Sequence, residues 1–166
     1  MVELLVTYME MTAPPAGPAL PPPLPEAAVA RETLWRPEYL RLYREVGEGL
    51  QWDLRLGVAD AALDRFLADP ATDIHLLRLD GAPAGFCEMD RTALPEVEIV
   101  HFGLLPSAQG NRLGPYLLDR ALRAVWQEAV QRVWLHTDTN DHAKAIATYE
   151  RAGFRVYERR WETFPD

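Results

Sequence analysis

The C-terminal half of this chain switches repeatedly between strand and helix period, and that alternation restricts its folds more than any other feature. Glu96 to Leu105 is a largely apolar run, read as a central strand, and from Gly114 a helical stripe continues through Leu117, Leu118, Ala121, Leu122, Val125 and Ala129. Arg132 to Thr139 reads as a strand, His142 to Ala152 as a helix stopped by Gly153, and Phe154 to Thr163 as a final strand. Helical crossovers of this kind permit parallel strand pairs, which hairpins do not. An α/β layer architecture with a mixed sheet follows.

The N-terminal half fits that frame. Leu4 to Met11 carries β-branched and aromatic residues, and seven of the fourteen prolines then fall between Pro14 and Pro25. Residues 12–25 are therefore expected to be an extended connector, a stiff spacer between a first strand and the body. Tyr39, Leu40, Tyr43 and Val46 space a helix that starts at Pro37 and ends at Gly47 and Gly49, and a second helix runs from Val58 to Ala68. Ile74 to Leu79 and Ala84 to Met89, joined by Asp80-Gly81, form a hairpin. The expected order is β, α, α, β, β, β, α, β, α, β. At 166 residues the whole chain, 1–166, reads as a single domain.

Charge and cysteine usage narrow the partners. Seventeen Lys plus Arg against twenty-five Asp plus Glu leave a net charge of -8, which repels nucleic acid and anionic lipid. Cys87 stands alone, so no internal disulfide is available and a reducing cytoplasmic setting fits. Met1 to Met11 has no basic leader and no apolar run of membrane-spanning length, so no membrane partner is expected.

Between the strand ending at Leu105 and the helix from Gly114 lies Pro106-Ser107-Ala108-Gln109-Gly110-Asn111-Arg112-Leu113-Gly114-Pro115. Such a junction aims several main-chain N–H groups at one point and adds the positive end of a helix dipole, a arrangement suited to a pyrophosphate. Leu104 to Leu118 resembles the first motif of the GNAT superfamily of acyl-CoA-dependent N-acetyltransferases, a strand, a proline and a Gln/Arg-x-x-Gly-x-Gly/Ala turn. Gln109 and Gly114 match its ends, while Arg112 replaces the middle glycine. His142 to Phe154 is similar to the second motif: Tyr149, Gly153 and Phe154 match, and His142 stands where Asn is usual. The resemblance covers residues 74 to 157. Thr137 to His142, Thr-x-Thr-x-Asp-His, further resembles a bacterial subgroup of unassigned substrate.

The resemblance implies a mixed, mostly antiparallel sheet flanked by helices, with a central parallel pair whose strands, from Glu96 and from Arg132, splay apart to admit acetyl-CoA as acyl donor. Phe102, Gly103 and Leu104 would pair with the pantetheine amides, and Gln109, Gly110, Asn111, Arg112, Leu113 and Gly114 would cradle the pyrophosphate, with His142 beside them. The guanidinium of Arg112 could turn toward the 3'-phosphate. Transfer to an amine needs a proton acceptor and a donor for the departing thiolate. By resemblance Glu98 is the first candidate for the acceptor and Tyr149 for the donor, with His101 and Glu88 as rivals to Glu98. The acceptor, a primary amine of a small molecule or peptide, would sit between the first two helices and the last hairpin, where Tyr39, Tyr43, Trp52, Phe86, Tyr157 and Trp161 are wall candidates or plain core. A homodimer is open. Two rival readings remain: an inactive CoA-binding sensor, suggested by Arg112 and His142, and a hydrolase whose metal is held by His136, Asp138, Asp141 and His142. The acetyltransferase reading itself calls for no metal.

Overall fold

A computed structural model describes residues 1–127 and 129–165. Its strands are β1 (Val2–Met11), β2 (Ala27–Arg31), β3 (Thr72–Leu79), β4 (Ala82–Asp90), β5 (Glu96–Leu104), β6 (Arg132–Thr137) and β7 (Arg155–Phe164). Its helices are α1 (Arg36–Gly47), α2 (Asp60–Ala68), α3 (Leu113–Val125) and α4 (Ala145–Ala152). All seven strands join one sheet in the order β2-β3-β4-β5-β6-β1-β7, and every pairing is antiparallel except β5 with β6. The mixed sheet with its parallel pair is the architecture expected.

The departures have physical causes. β2 was not anticipated, because Ala-Ala-Val-Ala-Arg next to a proline run carries no alternation; it forms by pairing Ala27 with Leu79 through Arg31 with His75 at the sheet edge. The α4 crossover yields no second parallel pair, because β1 inserts between β6 and β7, antiparallel to both. Among the described residues the expected last hairpin is absent for the same reason: β7 is the one strand after α4, and the N-terminal strand supplies its neighbour. α3 stops at Val125, and Ala129 has a left-handed φ of 56°, so it cannot extend the stripe. α4 begins three residues later than expected because Thr137 to Lys144 is occupied by a side-chain-bonded loop described below.

The proline segment is a strap rather than a spacer. Leu20 N–H donates to Asp119 of α3 at 3.0 Å, Arg120 reaches the Leu20 carbonyl at 2.8 Å, and Arg123 reaches the carbonyls of Gly17 and Pro18. Proline-rich backbone has carbonyls to spare and few donors, so a helix face bearing two arginines suits it.

Apolar side chains divide between the two sheet faces. Val97, Ile99, Val133, Leu135, Met9 and Met11 pack under α3 and α4, whereas Ile74, Leu76 and Phe86 pack under α1 and α2 with Tyr39, Leu42 and Tyr43. Leu113, Leu117, Leu118 and Leu122 of α3 are fully buried. At ~1.5–3 kcal/mol for each buried leucine they fix the position of the helix, and with it the loop before it.

Candidate active site

Hydrogen bonding between β5 and β6 is confined to Glu96 with Arg132, Val97 with Val133 and Glu98 with Trp134. Beyond Glu98 the strands part. β5 stays paired to β4 as far as Leu104, so only its β6-facing edge is left open. That gap is part of a cleft of about 570 Å³ lined by Phe102, Gly103 and Leu104, by the loop before α3 and by one face of α4.

The loop opens with a 3-10 turn over Pro106–Ala108, after which Gly110 takes a φ of 86° and Arg112 one of 60°. A left-handed arginine costs about 1–2 kcal/mol, less than a single buried leucine of α3 contributes at the upper end of its range. Among the described residues, no main-chain N–H from Gly110 to Gly114 has a protein acceptor, and α3 has neither a side-chain cap nor an acid in its first turn. A Cβ built at Gly114 would meet Leu104 Cδ1 at 3.9 Å and Phe102 Cζ at 4.0 Å, so the protein itself does not require glycine there. Open donors and a glycine kept bare toward the cleft are what a diphosphate needs. Lys144 and Arg151 of the α4 side line the cleft with Arg112, three cations in a chain of net charge -8.

Thr137 to Lys144 is held by its own polar groups. The Asp141 carboxylate accepts from the Thr137 hydroxyl and, at 3.0 Å, from Asp138 N–H; the Asp138 carboxylate accepts from Asn140 N–H at 2.8 Å. His142 Nδ1 accepts the Lys144 N–H at 3.1 Å, the turn an Asn side chain would make at that position. Asp141 is committed to the loop, and among the described residues no three His, Cys, Asp or Glu converge on a point.

Tyr149 of α4 lies in the cleft wall with its ring against Phe102 and Phe154, at 5.7 Å from each. Its hydroxyl has no hydrogen-bond partner among the described residues, and burial, aided by the charge of Asp141, pushes the phenol well above its ordinary range. It is therefore protonated at any physiological pH. Of the sequence-derived cofactor residues, Phe102, Gly103, Leu104, Gln109, Gly110, Arg112, Leu113, Gly114 and His142 line the cleft, and Asn111 does not. Leu50, Pro115, Asp141, Lys144, Ala145, Thr148 and Arg151 line it as well without being among those candidates; the spacing of Lys144, Thr148 and Arg151 on one helical face was the available signal.

Glu98 is not in that cleft wall. Val97 and Ile99 point under α3, so Glu98 points to the opposite face, half-buried, at the last paired rung before the strands part. Burial pushes its carboxyl up; His136 opposes this and Asp90 adds to it. On the same face Glu88 accepts from the Tyr39 hydroxyl, from Arg55 at 2.9 Å and from His101 Nδ1 at 3.1 Å. Tyr39, Tyr43 and Phe86 are fully buried and so belong to the core, not to a ligand wall. Trp161 pairs with Leu5 and points to the α3 side, away from Glu98, which removes it as well; Tyr157 stays on the Glu98 face beside Tyr8 at 6.1 Å.

Residues 32–154 match the acetyltransferase (GNAT) family. The chain belongs to the GNAT family of acetyltransferases. It is 37% identical over 116 residues to a mycothiol acetyltransferase of Sanguibacter keddieii, covering 66% of this chain and 35% of that protein, and 28% identical over 75 residues to a [ribosomal protein bS18]-alanine N-acetyltransferase of Haemophilus influenzae, covering 45% and 50%. The chain thus spans about a third of the length of the first of these relatives. A GNAT-family structure from Novosphingobium aromaticivorans superposes with a TM-score of 0.64 at 20% identity, covering 97% of this chain and 63% of that one. A GCN5-related N-acetyltransferase from Sphaerobacter thermophilus gives 0.66 at 18%, covering 94% and 49%. At these identities the structural likeness concerns the fold.

Proposed function

We propose that this GNAT protein transfers an acetyl group from acetyl-CoA to a primary amine by direct attack. The observation that carries the reading is the gap beyond Glu98, a strand edge with free main-chain groups that leads to a glycine-lined ring of unpaired N–H donors. Phe102 to Leu104 hold the pantetheine arm as an added strand, Gly110 to Gly114 hold the diphosphate, and Arg112, Lys144 and Arg151 face the remaining phosphate charge. Acetyl-CoA supplies the activated acyl carbon.

The protein's own groups handle protons. An alkylammonium is no nucleophile, and Glu98, at the apex of the gap and raised by burial, takes its proton. Tyr149, kept protonated by burial, offers its hydroxyl as a hydrogen-bond donor to the departing sulfur, which takes its proton from the attacking nitrogen. In balance, the amine nitrogen gives up two protons, one ending on the thiol of CoA and one in solvent. The two relatives above are named for different acceptors, mycothiol and a ribosomal-protein alanine, so the acceptor is a small molecule or a peptide amine.

The test pairs binding with turnover. Saturating acetyl-CoA should raise the melting temperature, and release of free thiol across a panel of alkyl amines, amino sugars and alanine-terminated peptides should identify acceptors. Tyr149→Phe should keep the thermal shift and lose kcat by roughly 10²-fold or more. Binding without turnover on any amine would instead favour a CoA sensor, the reading that left-handed Arg112 raises.

A further inference from the structure

A gap between two neighbouring strands has to be held open. Beyond the rung of Glu98 with Trp134, β5 and β6 each have main-chain groups aimed at the other, and two facing edges gain hydrogen bonds by closing. A restraint on each side must therefore outweigh that gain.

On the β5 side the restraint comes from its other neighbours. β4 pairs Met89 with Ile99 but Glu88 with His101, so Val100 is an extra residue in β5, a β-bulge that bends the strand just where the gap begins. Pairing with β4 then runs on to Gly85 with Leu104. Gly103 also lies so close to α1 and the chain after it that a Cβ there would meet Val46 Cγ1 at 2.6 Å and Trp52 Cη2 at 3.3 Å. β5 is thus the fixed wall, and the width of the gap is decided by where β6 ends.

Among the described residues Leu135, His136 and Thr137 pair with Met9, Tyr8 and Thr7 of β1 and with nothing on β5. Val133, Leu135 and Thr137 share the sheet face under α3 and α4, and this stripe turns polar at its last member. Thr137 is 4% exposed, as is its cross-strand neighbour Thr7. Valine has nearly the same shape, so what threonine adds at this buried position is a hydroxyl, and the hydroxyl donates to Asp141. The same carboxylate oxygen accepts Asp138 N–H at 3.0 Å, Asp141 N–H donates back to the Asp138 carbonyl at 3.1 Å, and the Asp138 carboxylate takes Asn140 N–H. These local bonds compete with the sheet ladder for the backbone leaving β6 and turn it toward α4 instead of a further rung on β5. Asp141 lines the cleft; Thr137 does not.

We propose that the contact of Thr137 with Asp141 is a clamp that sets the width of the gap, which makes both of them positioning residues for the pantetheine arm of the acyl donor. The proposal rests on the acetyl-CoA reading above, and on its strand-gap half alone. The donors from Gly110 to Gly114 belong to a different loop, which shares no hydrogen bond with the clamp among the described residues. Loosening the clamp therefore weakens the hold on the arm and spares the hold on phosphate. The clamp is made of the protein's own groups, so it is in place before the donor arrives.

The experiment uses the full chain and two probes: acetyl-CoA, and adenosine 3',5'-bisphosphate, which carries phosphates but no pantetheine arm. By titration calorimetry Thr137→Val should weaken acetyl-CoA about 5- to 10-fold, the scale of one buried hydrogen bond, and leave the bisphosphate within a factor of about two. Thr137→Ser, which restores the hydroxyl, should recover acetyl-CoA affinity to within the same factor. A merely structural role would move both probes together or neither. In the unliganded wild type the Asp138 amide should exchange slowly by NMR, because its acceptor is already in place. Equal losses for the two probes, no recovery in Thr137→Ser, or an Asp138 amide protected only once acetyl-CoA is added overturns the clamp. Should Thr137→Val fail to fold, the Asp138 exchange of the wild type still decides. A wild type that binds neither probe overturns the acetyl-CoA reading and the clamp with it; wild-type acetyl-CoA affinity in Thr137→Val overturns the clamp alone.

Discussion

Gly114 separates what folding asks of a residue from what a ligand asks. With nothing nearer than 3.9 Å to its built Cβ, Gly114→Ala meets no clash, and exchanging glycine for alanine in a helix gains up to ~1 kcal/mol. The unliganded protein should melt at the same temperature or a few degrees higher, while the stabilisation by acetyl-CoA shrinks sharply. Scanning calorimetry with and without the ligand reads both, and an undiminished ligand shift would remove Gly114 from the cradle. Arg112 poses the complementary case. Arg112→Gly relieves a left-handed side chain, so the unliganded melting temperature should rise, whereas the salt dependence of acetyl-CoA affinity should weaken by about one charge if the guanidinium meets phosphate. Titration calorimetry at two ionic strengths checks the second point. At this scale much of the cleft was legible in the sequence, since a glycine-punctuated turn and an aligned tyrosine are local signals. The Glu88–His101 contact could be reached only as two separate candidates, because a one-residue bulge decides which face His101 occupies and no local pattern around Val100 marks it.

Among the elements, long and periodic ones were readable and those defined by a neighbour were not. α1 and α3 carry apolar stripes and form where the stripes lie, whereas β2 exists only because β3 offers it an edge, and the place of β1 between β6 and β7 is a matter of long-range pairing. The strap across α3 was legible as extended backbone but not as a docked one. Its docking hinges on Asp119, which accepts the Leu20 N–H while paired with Arg123. Asp119→Ala removes that acceptor and should cost about 1–3 kcal/mol, a fall in melting temperature of roughly 3–10 °C for a chain of this size. Faster amide exchange at Leu20 should accompany it. A variant that melts with the wild type would mean that the strap contributes nothing to the hold on α3.

Across the whole molecule, one sheet face carries two carboxylates shifted in opposite directions, and their effects on stability should separate with pH. Glu88 is held below the unfolded value near 4.5 by His101, Arg55 and Tyr39. A group depressed in the folded state contributes stability above its unfolded pKa and loses it as pH falls through the folded one. Glu88→Gln should thus be destabilised near neutrality, with the deficit closing only in acid, below about 4.5. Glu98 is raised by burial, so its ionisation opposes folding: the stability it permits is complete below the unfolded value and is lost as pH climbs through the folded one. Glu98→Gln should consequently melt above the wild type at neutral pH and converge with it in acid, while losing most of its turnover. Melting curves of the three proteins from pH 3 to pH 8 would test both signs at once. Such a pattern is what a proton acceptor placed at the apex of parted strands should produce, since the desolvation that makes Glu98 basic is the same desolvation that weakens the fold.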